Sequence, residues 1–138
     1  MTAVRSARAL LFDDGGRLVL IKRVRPGRGP YWTTPGGKLE PSDDSLEAAL
    51  HRELMEELGA TAQVLGRVHV VEPTTEHPTR QHVFLAQLLT MDPSLRCGPE
   101  LTAGHLVDHV PVDLLHTIDL RPPELVPLAQ QLARSQSV

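Results

Sequence analysis

The stretch from Gly36 to Ala60 constrains this chain more than any other, because it reads as one helix with two incompatible sides. Leu46, Ala49, Leu50 and Leu54, widened by Met55 and Leu58, recur at three- and four-residue spacing and call for burial. Glu53, Glu56 and Glu57 crowd its C-terminal half. At about 100° per residue, Glu56 lies roughly 60° to one side of Glu53 and Glu57 roughly 40° to the other. Three carboxylates on one face repel one another unless positive charge sits among them. The negative end of the helix dipole adds to that cost. The spacing allows a solvated acidic face, or a site where carboxylate oxygens hold a hard cation such as Mg²⁺ or Mn²⁺.

The flanks sharpen the helix. Asp44-Ser45-Leu46-Glu47 reads as an N-cap on Asp44 with Glu at the third helical position, and Gly59 reads as the stop. Ahead of it, Pro35-Gly36-Gly37 permits close backbone approach, because glycine brings no Cβ. Glu40 either reaches the same region or stands exposed in the loop.

The stretch resembles the signature of the Nudix (MutT-like) hydrolases: Gly, five residues, Glu, seven residues, then Arg-Glu-hydrophobe-any-Glu-Glu-any-Gly-hydrophobe. Arg52 through Ala60 match the second half at every fixed position, and Trp32 to Pro41 look like the usual lead-in. The chain departs from the pattern in one place. Counting from Gly37, five residues lead to Asp43 and eight, not seven, then precede Arg52; counting back from Arg52 lands on Asp44. The loop carries one extra residue, and Asp43 or Asp44 stands for the signature Glu.

The resemblance implies an α/β fold, a Nudix-type α/β/α sandwich with a mixed sheet between helices, in a single domain over residues 1–138. It implies Mg²⁺- or Mn²⁺-dependent hydrolysis of a pyrophosphate linkage in a nucleoside diphosphate joined to another group. Carried over by position, Glu53, Glu56 and Glu57 are metal ligands, with a carbonyl of the glycine turn, at Gly36, joining them. Glu53 is alternatively the general base, Glu57 belongs to the catalytic set, and Arg52 orients Glu56. Some family members take the base from a distant loop, for which Glu100 is the candidate and Glu76 the second. A non-catalytic Nudix-like module that binds a nucleotide for regulation is the alternative, but such a module is expected to have lost a metal-binding glutamate. The coenzyme A motif of the family is absent, Pro73 and Pro78 bracket the proline of ADP-ribose enzymes without matching it, and the only tyrosine is Tyr31. A nucleoside triphosphate substrate therefore stands ahead of a nucleotide sugar or ADP-ribose.

Around the helix, Ala7 to Phe12 and Leu18 to Ile21 are apolar runs on either side of Asp13-Asp14-Gly15-Gly16, a β-hairpin pattern. Neither run alternates, so both strands are expected to be covered on two faces. Lys22, Arg23, Arg25 and Arg28 follow among Pro26, Gly27, Gly29 and Pro30, which predicts a basic loop able to attract phosphate. Arg23 is its best-anchored substrate-binding candidate, and Lys38 joins it from the glycine turn. Tyr31 could stack a base, while Trp32 is expected to pack beneath the loop. Residues 62–72, 81–89 and 105–112 read as strands, 73–80 and 91–104 as loops. Pro122-Pro123 opens a helix with Leu125, Leu128, Ala129 and Leu132 on one side.

The 138 residues suffice for one cored domain, and a net charge of −3 leaves no broad basic field for a stable nucleic-acid partner. Cys97 is the single cysteine, which excludes an intramolecular disulfide, and it is assigned no role. His105 and His109 stand four apart without cysteines to complete a zinc set, and are read as surface or half-buried imidazoles. Neither an export signal nor a run of about 20 apolar residues is visible. The expectation is a cytoplasmic monomer or homodimer that avoids membranes and takes a small nucleotide-type substrate.

Overall fold

A computed structural model describes residues 4–97 and 105–136, with the side chain of Gln136 left out. Its centre is β1 (Val4–Phe12), which pairs in parallel along its whole length with β6 (Thr79–Met91). On its other side β1 is shared. Ser6 to Arg8 pair antiparallel with β4 (Gly36–Lys38), and Leu11 and Phe12 pair antiparallel with β2 (Leu18–Arg25). The sheet therefore forks at the middle of β1.

From β2 the sheet continues to β3 (Arg28–Thr33), antiparallel, and on to β8 (Leu120–Arg121), parallel. β7 (Leu106–Val110) also pairs with β2. β5 (Ala60–Val71) closes the opposite end antiparallel to β6, with register shifts at three places. Helix α1 (Leu46–Leu58) and helix α2 (Leu125–Gln136) complete the described fold, with short 3₁₀ turns at Pro93–Leu95 and Val112–Thr117.

The two apolar runs without alternation do have two covers. Ala7, Ala9, Leu11, Val19 and Ile21 pack with Leu50, Leu54 and Leu58 of α1. The intervening Leu10, Phe12, Leu18 and Leu20 pack with Leu125 and Ala129 of α2. Period-two geometry sends alternate residues to opposite faces, so an all-apolar strand demands a layer on each side. Each fully buried leucine stabilises the fold by about 1.5–3 kcal/mol. The result is the expected α/β sandwich around a mixed sheet. No helix among the described residues is long and apolar enough to cross a membrane.

Three local expectations change. The basic segment is not a loop: Arg23 and Arg25 end β2, Arg28 begins β3, and a tight turn at Pro26-Gly27 joins them. Paired strands satisfy the backbone there, with Arg23 and Arg25 partly buried and Arg28 exposed. Asp44 does not cap α1; Ser45 does, its hydroxyl accepting from the Ala48 N–H at 3.0 Å. That places Ala48, not Glu47, at the third helical position. Helix α2 starts at Leu125, two residues after the proline pair. Gly59 stops α1 as expected, in the left-handed region.

Candidate active site

Glutamates of α1 meet the glycine turn because β4 lies on β1 directly beneath the helix. The Gly36 N–H donates to Glu57 Oε1 at 2.7 Å. At Gly36, φ is 140°, and a Cβ would lie 2.1 Å from the Ala7 carbonyl oxygen, so only glycine fits. At Gly37 a Cβ would lie 2.5 Å from the Glu53 carboxyl group, so the missing side chain makes the space that carboxylate occupies.

The three glutamates are not equivalent. Glu57 belongs to the buried stripe with Leu50, Leu54 and Leu58 and is 2% exposed. Glu53 is largely covered, and Glu56 stands at the rim. Burial pushes the Glu53 carboxyl above its ordinary value, although the hydrogen bond and charge of Arg52 and the charge of Arg8 oppose it. A carboxylate in this position is a stronger base than a solvated one.

Arg52 supplies positive charge to the group. Its Nη1 donates to Glu53 Oε1 at 3.0 Å and reaches both Glu56 oxygens at 3.4 Å. Its guanidinium fork, however, faces Asp43, with Nε on Oδ1 at 3.0 Å and Nη2 on Oδ2 at 2.9 Å. This pairing brings the Asp43 carboxyl down to about 2. Asp43 is thus the residue of the lengthened loop that meets the signature arginine, and Asp44 is exposed. Glu40 lies 3.6 Å from Arg52 at the edge.

The dipole cost read from the sequence is answered in part by the chain itself. The Arg96 Nε donates to the Glu57 carbonyl, and the Cys97 N–H donates to the Glu56 carbonyl at 2.8 Å. A guanidinium at the C-terminal turn of α1 offsets the negative end of the dipole. Adverse charge there is therefore not by itself a sign of a bound ion.

A pocket of about 300 Å³ collects these groups: Glu53, Glu56 and Glu57 with Gly36, Gly37, Lys38 and Glu40, plus Arg8, Arg23 and Cys97. Arg23 is fixed by Nε on Thr33 Oγ1 at 2.8 Å and by Nη1 beside His105 Nδ1 at 3.0 Å. Arg8 went unnoticed in the sequence; its signal was a lone charge inside the apolar run of β1, which burial permits only with partners. Glu100 lies outside the described residues, and Glu76 is exposed on the β5–β6 loop. Exposed Cys97, assigned no role from its sequence context, faces this pocket.

The carboxylate oxygens of Glu53, Glu56 and Glu57 suit Mg²⁺ or Mn²⁺. The largely covered Glu53 and the buried Glu57, both beside the glycine turn, fit such an ion. Among the described residues no three acidic, histidine or cysteine side chains close around one point. Arg52 reaches both Glu53 and Glu56, and Glu57 is turned to the Gly36 N–H.

A second cavity, about 440 Å³, is lined by Tyr31, Thr33, Val71, Thr79, Gln81 and Pro122, among others. Thr33 links it to Arg23. Tyr31 is held between Arg25 and Arg121, whose guanidinium carbons lie 4.6 and 4.4 Å from its ring centre. The ring that could have stacked a base is thus already engaged by two guanidinium groups of its own chain. Trp32, expected beneath a basic loop, instead packs from β3 against the α2-side core, with Nε1 donating to Asp108 Oδ2 at 2.9 Å.

In this three-layer α/β sandwich a glutamate helix lies over a glycine turn, with arginines facing the carboxylates. This chain belongs to the Nudix family: the Nudix domain matches residues 2–129. A Bacillus subtilis (strain 168) protein described as a putative 8-oxo-dGTP diphosphatase is 29% identical over 100 residues, 72% of this chain. The match spans 62% of that relative's length. A Nudix hydrolase from Nitrosomonas europaea has the same fold, with a TM-score of 0.75, 18% identity and coverage of 97% and 90% of the two chains. An ADP-ribose pyrophosphatase from Streptococcus suis aligns with a TM-score of 0.66, 21% identity and coverage of 98% and 95%.

Proposed function

We propose that this chain is a Nudix pyrophosphohydrolase, one domain over residues 1–138, that cleaves a phosphoric anhydride in a nucleoside diphosphate derivative. The observation that carries this reading is the composition of one pocket. Glu53, Glu56 and Glu57 face Arg8, Arg23 and Lys38 across the Gly36-Gly37 turn. Carboxylates suit a divalent cation and the cations suit phosphate oxygens, and a bound pyrophosphate needs both.

Glu53, Glu56 and Glu57 would hold Mg²⁺ or Mn²⁺, with Gly36 adjoining. Nudix hydrolases generally use divalent metal ions, and such an ion neutralises phosphate oxygens and makes water more acidic. Arg23 and Lys38 bind phosphate oxygens. Where Glu53 serves as the general base instead of as a ligand, it takes the proton of the attacking water as the water oxygen bonds to phosphorus and the anhydride P–O bond breaks. Arg52 holds Glu53 in place. The nucleoside half fits the cavity beyond the Arg23–Thr33 pair, which is concave, partly apolar and contiguous with the phosphate-binding arginine.

The names of the Bacillus subtilis and Streptococcus suis proteins support two substrate classes. A nucleoside triphosphate is placed ahead of ADP-ribose or a nucleotide sugar. The test is a screen of nucleoside triphosphates, oxidised ones included, with ADP-ribose and nucleotide sugars, at millimolar Mg²⁺ or Mn²⁺. Wild type is expected to release product only with metal, and Glu57→Gln to lose about 10²-fold or more. Turnover unaffected by Glu57→Gln would reject this site.

A further inference from the structure

Arg8 is an expensive residue to keep. It stands inside the central strand, flanked by fully buried Ala7 and Ala9, where an ionised group must be matched by partners. Its Nη1 donates to the Thr34 carbonyl at 3.1 Å and the Gly36 carbonyl at 3.2 Å. The Gly36 residue is therefore gripped on both sides, its N–H by Glu57 and its C=O by Arg8. Arg8 also lines the pocket that holds Glu53, Glu56 and Glu57.

We propose that Arg8 is the resident cation of the glycine turn: it holds the Gly36 carbonyl until a divalent cation takes that oxygen, and then turns its guanidinium to the substrate's pyrophosphate. The inference rests on the reading that this pocket takes Mg²⁺ or Mn²⁺. A guanidinium and a divalent cation drawn to the same carbonyl and carboxylates repel each other strongly in a partly buried site. One displaces the other. A guanidinium so displaced lies next to the anion that a pyrophosphohydrolase must bind, and its planar fork matches phosphate oxygens. A residue that merely staples β1 to β4 would act differently, since its loss would loosen the turn and weaken every ligand together.

Calorimetry of Mn²⁺ binding to the wild type, Arg8→Met and Arg8→Lys separates these roles without turnover. Arg8→Met is expected to bind Mn²⁺ at least threefold more tightly than wild type, Arg8→Lys about as wild type. Inorganic pyrophosphate, added with Mg²⁺, is expected to bind Arg8→Met at least tenfold more weakly. Equal or weaker Mn²⁺ binding by Arg8→Met overturns the proposal, as does unchanged pyrophosphate binding. Should Arg8→Met fail to fold, a Mg²⁺ titration of wild type carrying ¹³C-carbonyl glycine decides. The Gly36 carbonyl resonance is expected to move with the Arg8 side-chain N–H signal, and a Gly36 resonance that stays fixed overturns the proposal. If wild type binds Mn²⁺ and Arg8→Met binds it no better, the hydrolase reading stands and this inference falls. If the nucleotide screen yields no product while Arg8→Met gains Mn²⁺ affinity, the reverse holds.

Discussion

Arg52 and Asp43 form a two-point pair across nine residues of chain, Nε to Oδ1 at 3.0 Å and Nη2 to Oδ2 at 2.9 Å. The Asp43 Oδ2 also accepts from the Glu40 N–H at 2.8 Å, while the Asp43 N–H returns a bond to the Glu40 carbonyl at 2.9 Å. A closed turn thus delivers the carboxylate to Arg52. Aspartate is one methylene shorter than glutamate, and the loop is one residue longer than the family pattern. The two departures offset each other.

Asp43→Asn is expected to keep the turn but lose the charged fork, freeing Arg52 from its position beside Glu53. Loss of such an orienting partner costs about 10–100-fold in activity. Steady-state kcat/KM on the best substrate measures it. Asp43→Glu is expected to fall below wild type as well, because the longer loop leaves no room for the added methylene to keep the same geometry.

The two glycines of the turn are expected to fail differently. In Gly37→Ala the new Cβ meets the far end of a side chain, the Glu53 carboxyl, which can move. Folding should survive while kcat falls. In Gly36→Ala the Cβ meets the Ala7 carbonyl in the backbone of β1, at a φ of 140° that an alanine rarely adopts. Strain of about 1–3 kcal/mol, or more, should appear as a lower Tm. Thermal unfolding and kcat recorded on both variants test the contrast, and similar Tm losses would contradict it.

Arg23 is held by Thr33 and His105 at the pocket wall, away from the glutamate helix. Arg23→Ala should therefore raise KM more than it lowers kcat, by about 10-fold or more for one lost charge-assisted contact. A change confined to kcat would reject a phosphate-binding role for it.

Asp13 sets an acid limit remote from the site. It is 6% exposed and accepts from the Gly15 and Arg17 N–H groups, the Arg17 guanidinium and His109. Burial works to raise its carboxyl, but these donors outweigh it and the net shift is downward. The folded state then binds the proton less readily than the unfolded state, so the stabilisation is full above about pH 4. It is lost as pH falls through the lower, folded value. Asp13→Asn should lower Tm at pH 7, through about 1–3 kcal/mol of lost charged hydrogen bonding, and flatten Tm against pH below 4. Tm measured from pH 2 to 7 checks both.

The sequence made the sandwich legible because β1 and β2 are apolar without alternation, and only a layer on each face can cover such strands. It hid β4, since Gly36-Gly37-Lys38 has no strand preference and pairs only because β1 offers a partner. It also hid the β2–β3 pairing, where proline and glycine suggested a loop and the arginines gave no apolar pattern. Helix α1 was plain, but helical angles alone could not rank its glutamates. Glu57 proved to lie on the buried stripe, about 60° from Leu54. Arg8 was invisible as a site residue because its meaning depends on a turn nearly thirty residues away, and Asp43 could be chosen over Asp44 only by which carboxylate reaches Arg52.

The far end of the sheet carries a last consequence. β5 has one strand neighbour, so one long side of it lacks a strand partner among the described residues. Its register on β6 slips between Thr61 and Ala62, between Val64 and Gly66, and between Arg67 and His69. An incoming strand needs evenly spaced donors and acceptors over several residues, and no such uninterrupted row is on offer. The irregular register of β5 therefore works against extension of the sheet through this edge, and does so without a helix laid along it.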